Sequence, residues 1–203
     1  MEVWLSTFGV IFAIVDPFGY IPIFLSMTSG DSDASRKRTL VRACSAAFVV
    51  LAVSAILGNH ILKFFGISIP ALQISGGLIL MAIGFEMLNV LPIASKISAA
   101  EEKEGVQKAD ISIIPLAIPM LSGPASIATV VVLSSQAASF ADYPAILISI
   151  LVTMVITYFV LSSSSRILKL VSHTGLNVMT RIMGLLLCAM AVQYVINGYR
   201  GIQ

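Results

Sequence analysis

Six long apolar runs, separated by polar stretches, account for most of the chain. They cover about residues 3–28, 40–65, 69–91, 111–136, 143–168 and 177–199. Each is long enough to cross the ~30 Å hydrocarbon core of a bilayer as a helix, which takes about 20 residues. Between the third and fourth runs lies the one long hydrophilic stretch, about 95–110, with Glu101, Glu102, Lys103 and Glu104 in sequence. Its mixed charge predicts a linker between two halves of three spans each. A polar segment at 29–39 precedes the second run, and Asp33 or Ser35 is placed to cap the helix that follows. Pro70 stands near the start of the third run, where a first helical turn accepts it.

Two of the runs are interrupted. The first carries Asp16, Pro17, Gly19 and Pro22 near its middle, and the fourth carries Pro115, Pro119, Ser122, Gly123 and Pro124. Five of the eight prolines lie in these two stretches, so the breaks are built in. Proline removes a backbone donor and disfavours helix for the residue before it. The first span is predicted to split into half-helices at roughly 4–15 and 20–28. The fourth splits near Ser122 and Gly123, with Pro124 opening the following half.

Composition agrees with a membrane chain. Of 203 residues, 58% are hydrophobic and 11% charged, with a mean hydropathy of +0.99, which predicts one all-α integral membrane domain. A net charge of +2 spread over loops gives no basic patch for nucleic acid. Met1, Glu2 and Val3 offer no basic leader segment, so the first run is expected to stay as a span. With the N-terminus outside, three inner segments hold four, three and three of the twelve Lys and Arg residues, leaving Lys63 and Arg200 outside. That asymmetry predicts both termini outside and the 95–110 linker in the cytoplasm.

The halves look duplicated. Gly19 and Gly123 are offset by 104 residues, as are Ile23 and Ile127, and Gly77 to Ala82 resembles Gly184 to Ala189. The broken span is the first of three in each half. Three spans per half is an odd number, so the second half lies inverted, the plan of many secondary transporters. The predicted fold is six transmembrane helices as two inverted three-helix repeats, about 3–94 and 111–203, with the first and fourth helices broken near the midplane.

A broken helix in lipid leaves free N–H and C=O groups that must face protein or a wet cavity. Freed helix N-termini around Gly19–Ile21 and Pro124–Ser126 suit a carboxylate. Freed carbonyl ends suit a cation or ammonium group, so a zwitterion of amino-acid size uses both. Asp16 is placed to bind an ammonium or cation, or to carry a proton; capping the broken backbone is the rival role. Ser122, Ser126 and Thr129 offer hydroxyls, though such groups also bond back to helix carbonyls. Glu86 lies near a span end and is expected to snorkel, while Gly76, Gly77 and Gly184 read as helix-packing residues. Cys44 and Cys188 read as small core residues, and His60 and His173 have no neighbours in sequence with which to hold a metal.

Asp16, Pro17, Phe18, Gly19, Pro22, Ile23 and Phe24, then Ile74 to Leu80, then Pro115, Pro119, Gly123, Pro124 and Ile127 resemble the MarC family of inner-membrane proteins. The resemblance covers nearly the whole chain. The family includes SnatA-type transporters of small neutral amino acids such as glycine and alanine, and often has Asn or Asp at the position of Asp16. The resemblance implies a bacterial or archaeal inner membrane and a small substrate at Asp16, Pro17, Phe18, Gly19, Ser122, Gly123, Pro124, Ala125 and Ser126.

The expected function is therefore secondary transport of a small neutral amino acid by alternating access. No cofactor is expected; a coupling ion, if one is used, is H⁺ or Na⁺. The alternatives are a regulatory or partner-binding membrane protein, or efflux of other small solutes. No arrangement of Ser, His, Asp or Cys suggests an enzyme. The topology has a direct test. A single cysteine at Ser98, in a Cys44→Ala, Cys188→Ala background, should react with an impermeant maleimide only from the cytoplasmic side; labelling of intact cells would reverse the orientation.

Overall fold

The computed structural model describes residues 2–28, 30–88, 90, 112–137 and 143–202. Among the described residues the secondary structure is entirely helical. The helices are α1 (Glu2–Val15), α2 (Ile21–Met27), α3 (Asp33–Phe64), α4 (Ile69–Met87), α5 (Ser112–Leu121), α6 (Pro124–Ser135), α7 (Tyr143–Ser162) and α8 (Ser164–Arg200). Four are long and apolar enough to cross a membrane: α3, α4, α7 and, within α8, Asn177–Arg200. The first and fourth runs are the broken ones, as α1–α2 and α5–α6. The 95–110 linker lies outside the described residues.

Serine side chains cap the starts of α3 and α4. Ser32, not Asp33 or Ser35, caps α3; its side-chain oxygen accepts from the Ser35 N–H at 3.3 Å. Asp33 falls instead in the first turn, where its charge suits the helix dipole. Ser68 caps α4 with Pro70 in the first turn. Arg36 satisfies the far end of α2: its Nε and Nη2 donate to the Thr28 carbonyl at 3.0 and 2.8 Å. The fifth and sixth runs are divided differently from expectation. α7 stops at Ser162, and Ser163 starts α8, its carbonyl accepting from the Arg166 and Ile167 N–H groups at 2.9 Å each. Residues 164–200 then continue as helix past a kink at Ser172, where φ is +62°.

The short helices form the centre. α6, which carries no charged residue, is buried on nearly every side, from Ala125 through Ser134. α3 and α7 pack on each other, as do α4 and α8. α1 lies on α7, α5 on α3, and α6 on α3, α4 and α1. Outward faces keep large apolar side chains exposed, among them Val49, Phe64, Phe159 and Leu185. That surface suits lipid and not water.

α4 and α8 meet through small residues. A Cβ added at Gly77 would sit 2.8 Å from the Ala191 carbonyl oxygen, one at Gly84 3.0 Å from that of Gly184, and one at Gly198 2.8 Å from that of Pro70. Positions 70, 77 and 84 face 198, 191 and 184, an antiparallel seven-residue register on both helices. Close backbone approach of this kind replaces the hydrophobic drive that lipid removes. Gly76 approaches Ala128 of α6, where an added Cβ would sit at 3.2 Å. Gly9 faces open space. Gly77→Ala and Gly184→Ala should each lower stability in detergent by about 1–3 kcal/mol. Gly9→Ala should be neutral or stabilising by up to ~1 kcal/mol. Thermal unfolding of the three variants checks the contrast.

Candidate functional site

The first break is a compact turn built by Asp16, Pro17 and Gly19. The Asp16 N–H closes the last turn of α1 onto the Phe12 carbonyl at 3.0 Å, and its φ of +40° turns the chain out of the helix. Asp is one of the few residues that visit this region readily. Pro17 follows, without an N–H and unable to continue the ladder. The turn closes with the Ile21 N–H on the Phe18 carbonyl at 3.2 Å. Inside it the Gly19 N–H donates to the Asp16 carboxylate. A Cβ at Gly19 would collide with Asp16 Oδ2, so only glycine lets the carboxylate fold back. Asp16 is 4% exposed, and its Oδ1 has no hydrogen-bond partner among the described residues.

The second break has different parts. α5 is wound as a π-helix: the Ser122 N–H reaches the Ala117 carbonyl, five residues back, at 2.9 Å. Ser122 Oγ donates to the same carbonyl at 2.8 Å, so this hydroxyl is engaged locally. Gly123 caps α6 in an extended conformation with no side-chain acceptor, and proline occupies the first turn. The first hydrogen bond of α6 runs from the Ile127 N–H to the Gly123 carbonyl at 2.9 Å. The Ala125 and Ser126 N–H groups precede it and have no partner within the helix.

The two breaks touch. Tyr20 Oη donates to the Met120 carbonyl at 3.0 Å, one of the carbonyls that the end of α5 leaves free. Ile14, just before Asp16, shares a buried cluster with Ala125, together with Leu80 of α4 and Leu187 of α8. α4 reaches the junction with its far end. Asp16 and Glu86 are both within electrostatic range of Tyr20, and Met87 Cε would lie 3.3 Å from a Cβ at Gly19. Glu86 is thus half-buried beside the first break.

The nine residues expected at the site take distinct positions. Asp16 and Gly19 form the turn. Pro17 is buried, and Phe18 stands edge-on to Phe12 with ring centroids 6.3 Å apart. Ser122 and Gly123 link α5 to α6. Pro124 is exposed, while Ala125 and Ser126 are 3% and 6% exposed. One turn on, Thr129 faces Tyr194 of α8, with its hydroxyl in no hydrogen bond of standard geometry. Tyr20 was not among the expected residues. Its signal was a phenolic hydroxyl directly after Gly19 in an apolar run, a group that seeks a partner when buried.

Asp16→Ala should remove both the turn's acceptor and a residue suited to positive φ, a loss of about 1–2 kcal/mol. Asp16→Asn keeps a carbonyl acceptor and should stay close to the parent. Tyr20→Phe leaves the Met120 carbonyl without its donor and should lose about 1 kcal/mol. Denaturation of the purified variants measures all three, and an Asp16→Ala protein as stable as the parent would contradict the capping geometry.

The family model of the MarC family integral membrane protein matches residues 1–203. A UPF0056 membrane protein of Methanocaldococcus jannaschii is 35% identical over 99% of this chain and 98% of its own. The UPF0056 membrane protein YvbG of Bacillus subtilis is 36% identical over 94% of this chain and 91% of its own. The UPF0056 membrane protein YhcE of Escherichia coli is 32% identical, covering 98% and 93%. No solved structure matches the chain significantly. A family match over the full length, on a helical fold with four helices long and apolar enough to cross a membrane and two shorter apolar helices among the described residues, identifies this chain as a member of the MarC family of integral membrane proteins.

Proposed function

We propose that the protein is a secondary transporter of small neutral amino acids, glycine- or alanine-like, that works by alternating access at its two broken helices. The observation that carries this reading is the meeting of the breaks. The Tyr20–Met120 hydrogen bond joins them, next to an unpaired Asp16 Oδ1 and the unbonded N–H groups that begin α6. A buried acceptor and a set of donors, on breaks that pack together through Ile14 and Ala125, are complementary to an ammonium and a carboxylate on one small molecule. In this reading Ala125 and Ser126 N–H groups take the substrate carboxylate. Asp16 Oδ1 and the free carbonyls of α5 take the ammonium end. Pro17, Phe18, Gly19, Ser122, Gly123 and Pro124 shape the gap and hold the backbone open.

The pattern of helix contacts supports a two-repeat architecture. α3 packs on α7, and α4 on α8. α1 lies on α7 as α5 lies on α3, α2 on α8 as α6 on α4, and α2 on α7 as α6 on α3. Exchanging the halves maps each of these contacts onto another, while the contacts of α1 with α6 and α8 and of α7 with α6 and α8 have no comparable counterpart among the described residues. We therefore read six spans as two inverted repeats, about 3–94 and 111–203, in a bacterial or archaeal inner membrane with both termini outside. Rocking of one repeat against the other would open the junction to each side in turn, and H⁺ or Na⁺ would be the coupling ion.

Uptake of labelled glycine, alanine and serine into proteoliposomes under imposed pH or Na⁺ gradients tests the reading. Saturable accumulation driven by one gradient is expected. Asp16→Ala should reduce it about tenfold or more, the equivalent of one lost charge-assisted contact of ~1.4 kcal/mol. Absence of uptake by the parent protein under every gradient would sink the amino-acid reading.

A further inference from the structure

α3 and α7 leave a groove of about 430 Å³ on the outer face of the bundle. Val41, Ser45 and Val49 line it from α3, and Leu151, Val155 and Phe159 from α7. Five of these six are apolar, and Val49 and Phe159 are 56% and 62% exposed, so the groove opens to the membrane along its side.

One end of the groove is cationic. Lys37 and Arg38 precede Val41 by four and three residues, which puts them one turn beyond it on the same helix face. Arg36 of the same turn donates from Nη1 to Ser165 Oγ at 3.4 Å. That contact brings the start of α8, with Arg166 and Lys169, to this end of the bundle. Six cations, Arg36, Lys37, Arg38, Arg42, Arg166 and Lys169, therefore gather there against two carboxylates, Asp31 and Asp33.

We propose that the groove binds an anionic phospholipid, with an acyl chain lying between α3 and α7 and the phosphate held by Lys37 and Arg38. The apolar walls and lateral opening fit a chain entering from the bilayer, and the basic end fits a phosphate at the membrane surface. A second copy of the protein fits less well. A symmetric pair across this groove would bring two like-charged ends together. The proposal does not depend on the transport reading.

The purified protein in neutral detergent provides the test, with phosphatidylglycerol and phosphatidylcholine of identical chains as probes. Phosphatidylglycerol should raise the melting temperature and stay bound in native mass spectrometry, while phosphatidylcholine at the same mole fraction should do neither. Replacing Lys37 and Arg38 together by Gln should weaken phosphatidylglycerol binding about tenfold or more. Ser45→Trp, which fills the groove, should remove binding with those cations intact. Both sites are exposed, and unliganded melting of each variant near that of the parent shows that it folds. Equal effects of the two lipids, full binding by either variant, or a dimer cross-linked through Phe159→Cys that excludes lipid would each overturn the proposal.

Discussion

Backbone hydrogen bonding in a medium without water is the constraint on which this structure depends. A continuous helix satisfies its own N–H and C=O groups; a broken one exposes several at once. Here two helices are broken, and the fold places both breaks at its centre. Side chains supply some of the missing partners. The Arg36 guanidinium bonds the Thr28 carbonyl beyond α2, Tyr20 bonds the Met120 carbonyl in α5, and the Asp16 carboxylate accepts from Gly19. Among the described residues Asp16 Oδ1 is left over, as are the Thr129, Thr153 and Thr157 hydroxyls, and the first amides of α6 have no partner within their helix; Ile14 beside Asp16 packs with Ala125 at the start of α6. An unmet buried polar group costs on the order of 1–3 kcal/mol, and the proposed substrate site is where Asp16 Oδ1 would regain a partner.

The surrounding helices make that junction possible. α4 and α8 approach closely through Gly77, Gly84, Gly184, Ala191 and Gly198, forming one wall. α3 and α7 form the other, with the larger apolar core running from Ile11 and Val15 through Leu51 to Ile150 and Leu161. The broken pairs lie between the two walls. Each wall takes one helix from each half of the chain. In the proposed transport cycle, movement of one half against the other would change both walls together.

Local chemistry was legible in the sequence; partners distant in sequence were not. Proline and glycine act on their own residues and immediate neighbours, so the break positions could be read closely. The half-helices expected at 4–15 and 20–28 are Glu2–Val15 and Ile21–Met27. The packing role expected of Gly76, Gly77 and Gly184 also holds, because small residues in apolar helices have few other uses. Local competition between equivalent groups was harder: Asp33 or Ser35 is the expected cap of α3, but the neighbouring Ser32 takes the role. The fifth and sixth runs are expected to end near 168 and begin near 177, but the chain is helical through that interval apart from a kink at Ser172, since polar sequence is compatible with a surface helix as well as with a turn. Tyr20–Met120 spans 100 residues and depends on tertiary packing that no local pattern encodes. Glu86 lies near a span end, as expected, yet it also faces the first break, for the same reason.

The central claim is that the two breaks form one pocket complementary to both ends of a small zwitterion. Equilibrium binding to the purified protein tests it most directly, by calorimetric titration with glycine, L-alanine, acetate and methylammonium. The account predicts saturable heats for glycine or alanine and far weaker binding of acetate and methylammonium, each of which fills only half the pocket. Equal binding of acetate and glycine, or no binding of any of the four, would contradict it.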